Sequence, residues 1–337
     1  MNNKLLKEII SKNIAKNKDF LVLDIIDDDL LVKTLDYLNS EEALTSLEID
    51  PYWPKWFSPW WVMLALDEIG KNDKIPPKIL AKLVEKINTH YIHIFPVVES
   101  ELPPNINPIR NIICHCALGS MYKLLSKSNI DINKKLPWFD EWFEKYQLPD
   151  GGFNCDEAVY TKEKPNSSII SSLPILEAIL YYKSDLNKKD LEILQKGVNY
   201  LLNKKLFKKE SNNEIINNNW IKPFFPRFYE YDILRGLKFV TDWALKTKNT
   251  LPLEKILDAI IILDSQINND IFLDNSNNPD ITAINSFIID KNVNLKRDKL
   301  TFFPLLEDLI YRNKGSIYLT KEWYDLINNL NLLFNDK

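Results

Sequence analysis

Gln147-Leu148-Pro149-Asp150-Gly151-Gly152-Phe153-Asn154-Cys155 is the stretch whose reading decides the fold. Two of only seven glycines in the chain stand side by side in it. Asp-Gly-Gly is a turn signal, because glycine reaches positive φ without steric cost. Amphipathic helical patterns flank it on both sides, so the turn links one helical hairpin to the next. A weaker echo follows at Gln266-Ile267-Asn268-Asn269-Asp270-Ile271-Phe272, again after a helical pattern.

Outward from this turn, helical periodicity dominates and two helix types alternate. One type is amphipathic: residues 77–88, 136–147, 190–202, 253–267 and 321–333. The other is apolar on most faces, and so is expected to be buried on most faces: residues 59–69, 111–125, 168–182, 231–245 and 302–310. The alternation recurs about every 55–70 residues, in the manner of a repeat architecture. Pro59, Pro108 and Pro226 stand at or shortly before apolar helices, where a missing N–H is harmless. These patterns predict an all-α fold of paired outer and inner helices, stacked and closed into an α/α toroid. An open α-solenoid is the alternative. No clean boundary interrupts the pattern, so residues 1–337 read as one domain. The Asn- and Asp-rich link 268–298 reads as a surface excursion.

Composition limits the function classes. The chain is 45% hydrophobic and 27% charged, which suits a globular protein with a sizeable core. Its net charge of −4 and the lack of a basic stripe exclude an electrostatic footprint for nucleic acid. No run of about 18 apolar residues predicts a membrane span. The first residues lack a signal-peptide core and start an amphipathic helix. Three cysteines cannot all pair with one another, so a reducing cytoplasm is the expected compartment.

Several blocks resemble bacterial proteins identified as prenyltransferase-like or squalene-cyclase-like. They are residues 147–155, Asn166-Ser167-Ser168, Leu206-Phe207, Phe225-Pro226-Arg227, Tyr231-Asp232-Ile233-Leu234-Arg235-Gly236-Leu237, and Trp56-Phe57-Ser58-Pro59-Trp60-Trp61 upstream. The resemblance implies the terpenoid-cyclase type of α/α toroid and a central cavity for an apolar, isoprenoid-like molecule. Two motifs of the wider fold are missing. The acidic run Asp27-Asp28-Asp29 does not correspond to the Asp-x-Asp-Asp acid of class II cyclases, and reads as a charged helix start. The zinc pattern of protein prenyltransferases needs a His after the Cys, whereas His90, His93 and His115 all precede Cys155.

The candidate binding surface combines Trp56, Trp60 and Trp61 with Cys114, His115, Cys155, Asn166, Ser168, Phe228 and Tyr231. Aromatic faces stabilise cations, as carbocation chemistry requires, although such clusters equally build cores. Asn166 or Ser167 suits an N-cap, and Ser168, Ser171 and Ser172 form a polar stripe on the following helix. Asp232 and Arg235, at i and i+3 on an apolar helix, read either as a cavity-facing acid oriented by the guanidinium or as a structural ion pair. If the chain is an enzyme, the resemblance implies a cyclase-like lyase or isomerase with Asp232 as first acid, then Asp150 and Asp156. Cys114 and His115 are placed near the start of a helix, where neighbours diverge by about 100° and cannot all reach one metal. One or two of Cys114, His115 and Cys116 combining with Cys155 and Asp156 is the metal alternative. Packing of Cys114 with Leu118, Met121 and Leu125 is the expectation, with no metal and no cofactor. The competing non-enzymatic class is a scaffold that presents its surface to a protein or peptide partner.

Overall fold

The computed structural model describes residues 2–17, 26–95, 98–183, 185–268, 271–272, 285–289, 295–299, 303–311 and 315–334. The fold is all-α. Among the described residues, paired strands are confined to two short antiparallel hairpins, Ile267–Asn268 with Ile271–Phe272 and Asn285–Ile289 with Leu295–Lys299. Apart from those pairings, most of the link 268–298 lies outside the described residues. Residues 1–337, read from sequence as one domain, pack as two compact units. One comprises Ile26–Gly197 with Asp280–Asp308; the other comprises Met1–Ile25, Val198–Pro279 and Leu309–Lys337.

The unit built on Ile26–Gly197 shows why the two helix types alternate. Pro59–Glu68 is buried from Pro59 to Asp67, as expected of a helix with apolar residues on every face. Trp138–Tyr146 instead buries Phe139, Trp142, Phe143 and Tyr146, a single stripe at i, i+3, i+4 and i+7. His115–Lys127 and Ile169–Glu177 are both buried along most of their length and pack directly on each other. Gly119 makes that approach possible: a Cβ there would stand 2.4 Å from the Pro174 carbonyl carbon. Asp67, buried in Pro59–Glu68, receives Lys123 at 3.0 Å and Lys127 at 2.9 Å from His115–Lys127. At the start of the unit, Asp27 caps the Asp28–Asn39 helix by accepting from the Asp29 and Leu30 amides. The acidic run is therefore a helix start, as its sequence suggested.

The other unit packs Asn2–Asn17, Ile233–Thr247, Leu253–Asp264 and Gly315–Phe334 around a buried polar hub. Asn13 donates to the Ile9 carbonyl and to Asp264, and accepts from the Trp323 indole N–H at 3.0 Å. Every polar atom of that amide is matched, as burial demands. Tyr231 is buried against Trp220, and its hydroxyl donates to the Leu206 carbonyl at 2.7 Å. A Cβ on Gly236 would meet that same hydroxyl at 2.2 Å, so glycine is what leaves room for Tyr231.

Candidate functional site

The Asp-Gly-Gly turn is built as its residues predict. Gly151 holds φ +102°, and a Cβ there would collide with the Lys196 carbonyl oxygen at 2.3 Å. Gln147 Nε2 donates to the Gly151 carbonyl at 2.8 Å and to the Ile193 carbonyl at 2.9 Å, tying the turn to the Lys188–Asn203 helix. Gln266 repeats the device, donating to the Ile221 carbonyl at 2.8 Å. Asp150 accepts from the Ser167 hydroxyl and, at 2.8 Å, from the Ser167 amide.

The chain then runs along the serine stripe of Ile169–Glu177. Ser168, rather than Asn166 or Ser167, is the N-cap, and its amide donates to the Phe153 carbonyl at 2.8 Å. Ser172 Oγ accepts from the Phe153 amide at 2.7 Å, and Ser171 Oγ accepts from the Cys155 amide at 3.1 Å. Asn166 contributes its backbone carbonyl, which accepts from Asn154 Nδ2 at 2.9 Å. These contacts fix where the Cys155 thiol stands.

That thiol meets two others. The helix begins at His115 and Cys114 is its N-cap, with φ −77° and ψ 156°. An extended N-cap is exempt from the helical 100° step, which lets the Cys114 thiol meet that of Cys116. Cys114 Sγ lies 3.2 Å from Cys116 Sγ, and Cys155 Sγ lies 3.6 Å from Cys116 Sγ. All three sulfurs fall within 4.8 Å of one another. The helix starts at His115, four residues later than the expected residue 111, and the three sulfurs meet beside that start. Asp156 does not join them; it is exposed and accepts from the Ala158 amide.

His115 is fully buried between the two cysteines in sequence, enclosed by Phe95, Trp142, Tyr146, Phe153 and Tyr160. Its Nδ1 lies 2.7 Å from the Asn154 carbonyl oxygen. A carbonyl only accepts, so the Nδ1 that meets it carries a proton. Nε2 is buried and has no hydrogen-bond partner among the described residues. The Cys114 and Cys116 thiols converging on Cys155 pull its pKa well below the ordinary thiol value; His115 acts the same way and burial opposes. Cys114 and Cys155, with burial, push Cys116 well above that value. Between these two sulfurs the surroundings favour the thiolate at Cys155 and disfavour it at Cys116.

The aromatic candidates are packed rather than open. Trp60 and Trp61 are fully buried; the Trp61 indole donates to the Tyr52 carbonyl at 3.0 Å, and Trp56 lies 4.5 Å from Trp61, ring to ring. In the unit containing Val198–Pro279, Phe228 and Tyr231 are likewise core residues. Asp232 is fully buried, and its carboxylate accepts from the Arg227 guanidinium and from the Arg235 backbone N–H. The Arg235 guanidinium instead donates to the Phe228 and Glu230 carbonyls. Arg227, from the loop before the helix, supplies a guanidinium to Asp232, as in a structural ion pair that ties the helix to a neighbouring loop.

Several cavities open in the unit containing the cysteines. One, of about 190 Å³, is lined by Tyr52, Trp53, Tyr91, Arg110, Ile112 and Cys114, among others. A second, of about 270 Å³ and largely apolar, is lined by Tyr37, Phe57, Val62, Phe303 and Pro304, with Lys33, Thr34 and Glu42. A polar crevice elsewhere contains Lys183 between Asp140 at 2.9 Å and Asp190 at 2.6 Å. The sequence did not single out Tyr37 or Phe303, because residues so distant in the chain carry no shared pattern. No helix among the described residues is long and apolar enough to cross a membrane. No protein-family model, curated protein or solved structure matches the chain.

Proposed function

We propose that this chain binds a short, apolar, isoprenoid-like molecule, and that it does so without transforming it. The observation that carries this reading is the largely apolar cavity of about 270 Å³ formed by Tyr37, Phe57, Val62, Phe303 and Pro304. Pockets for drug-sized ligands span roughly 300–1,000 Å³. The cavity lies just under that range, which favours a chain shorter than the long polyprenes that cyclases fold. Lys33, Thr34 and Glu42 supply the few polar groups that orient a hydroxyl or similar head. The alternation of wholly buried helices with one-faced helices supports the toroid reading. Binding is favoured over lyase or isomerase chemistry because the candidate acids are engaged elsewhere. Asp232 is paired with Arg227, Asp150 with Ser167, and Asp156 with the Ala158 amide. Three free cysteines support a reducing, cytoplasmic setting.

The test is thermal stabilisation by linear isoprenoid alcohols, with native mass spectrometry of the purified protein. The reading expects a raised melting temperature with ten-carbon alcohols and loss of that shift in Phe57→Asp. Absence of any shift, together with co-purification of a protein partner, would replace it with the scaffold reading.

A further inference from the structure

We propose that Cys114, Cys116 and Cys155 together hold one zinc ion as a three-thiolate site. Such a site is independent of the apolar ligand proposed above. The sulfurs already stand at separations of 3.2 and 3.6 Å, all within 4.8 Å of one another. Two thiolates on one tetrahedral zinc, each bonded at about 2.3 Å, lie roughly 3.8 Å apart. Adjustments of roughly 0.2 to 1 Å therefore bring these three onto a common ion.

The framework around the sulfurs is rigid on both sides. Cys155 is fixed by its amide on Ser171 Oγ and by the Phe153–Ser172 contacts just before it. Cys114 and Cys116 are fixed by the N-terminus of the His115–Lys127 helix. The three are also the whole cysteine complement of the chain, with Cys155 brought to Cys116 from 39 residues away. A second feature points the same way. His115 has a buried Nε2 with no hydrogen-bond partner among the described residues, while its Nδ1–H is held by a backbone carbonyl. A carbonyl-oriented imidazole next to the three sulfurs is an arrangement metal sites use for a flanking histidine; the converging ligand atoms are the sulfurs alone.

Charge selects the ion. Three thiolates around a divalent cation leave a net charge of −1, whereas a monovalent copper leaves −2, and buried net charge is costly. Binding is not a redox step: Zn²⁺ forms three Zn–S bonds and the thiol protons are released to solvent. Cys114 also lines the cavity of about 190 Å³.

The experiment uses the full-length, reduced chain stripped with a chelator. One equivalent of Zn²⁺ is expected to protect all three thiols from alkylation and to raise the melting temperature, and Co²⁺ added to the stripped chain is expected to give intense thiolate charge-transfer absorption that one equivalent of Zn²⁺ then abolishes. Cys116→Ser is expected to lose stoichiometric binding. Because that variant can fail for reasons of folding, thiol protection in the unsubstituted chain is the deciding measurement. Three thiols that stay reactive at saturating Zn²⁺ would overturn the proposal, as would protection by Cu⁺ but not by Zn²⁺.

Discussion

Arg227 grips Asp232 with two parallel hydrogen bonds, Nε to Oδ2 at 2.5 Å and Nη2 to Oδ1 at 3.2 Å, at a depth where Asp232 is fully buried. The same carboxylate caps the Ile233–Thr247 helix through the Arg235 amide at 2.9 Å, and Arg227 reaches onward to Glu322. Removing one partner of a buried pair leaves the other charge unmatched. Asp232→Asn is therefore expected to lower stability by about 3–5 kcal/mol, measured by urea unfolding. A change below about 0.5 kcal/mol, the range of an ordinary surface substitution, would contradict the structural role.

Glycine substitutions separate space from backbone strain. Gly70 has φ +73° and nothing within 4 Å of the place a Cβ would take, so Gly70→Ala meets strain alone, about 1–2 kcal/mol. Gly151 has φ +102° and the Lys196 carbonyl in the way, so Gly151→Ala is expected to cost clearly more. Gly119→Ala, pressed on the Pro174–Ile175 backbone, is expected to cost about 1–3 kcal/mol from overpacking alone. Equal losses at Gly70 and Gly151 in thermal melts would count against the turn packing.

Much of the fold was legible in the sequence, for identifiable reasons. The two helix types follow from a 3.6-residue period, and the predicted segments 77–88 and 190–202 appear as Pro77–His90 and Lys188–Asn203. The turn at Gly151 follows from a conformation that other residues resist. The cysteine cluster was not legible, because it depends on a helix starting at His115 instead of Asn111. Pro108–Asn111 forms its own short helix and Ile112 is extended, which leaves Cys114 outside the next helix. A shift of a few residues in one boundary decides which way a thiol points. Arg227 was missed for a related reason: it lies five residues before Asp232, across a loop with no helical spacing to reveal it.

Acid sensitivity follows from two buried carboxylates. Burial opposes charge on Asp67, but Lys123 and Lys127, with Asn72, hold its pKa below the ordinary carboxylate value. Burial likewise opposes charge on Asp50, and His90, the Trp53 amide and Arg110 outweigh it. A depressed folded-state pKa gives stability that is fully present above the unfolded value, near 3.8, and is lost as pH falls through the lower folded value. The urea midpoint is expected to fall as pH drops below about 4, and Asp67→Asn to flatten that dependence. A midpoint independent of pH from about 5 to about 2.5 would contradict the pairing.

Ser172 links the serine stripe to the thiols. Its hydroxyl accepts from the Phe153 amide and donates to backbone carbonyl oxygen, including that of Ser168 at 2.6 Å. Ser172→Ala leaves the Phe153 N–H buried and unmatched, an expected loss of about 1–3 kcal/mol. It is also expected to speed alkylation of Cys155 more than that of Cys116. Unchanged relative rates would show that Ser172 does not hold the Cys155 segment.

The Asp-Gly-Gly turn and the serine stripe bring Cys155 onto the Cys114–Cys116 helix start, and on this convergence the proposed metal site depends. Bridging by dibromobimane, which fluoresces on joining two neighbouring thiols, probes it in the reduced, metal-free chain when the products are mapped by peptide mass spectrometry. A bridge from Cys155 to Cys116 or Cys114 is expected. Bridging confined to Cys114 and Cys116, with Cys155 singly labelled, would show that the three sulfurs do not converge.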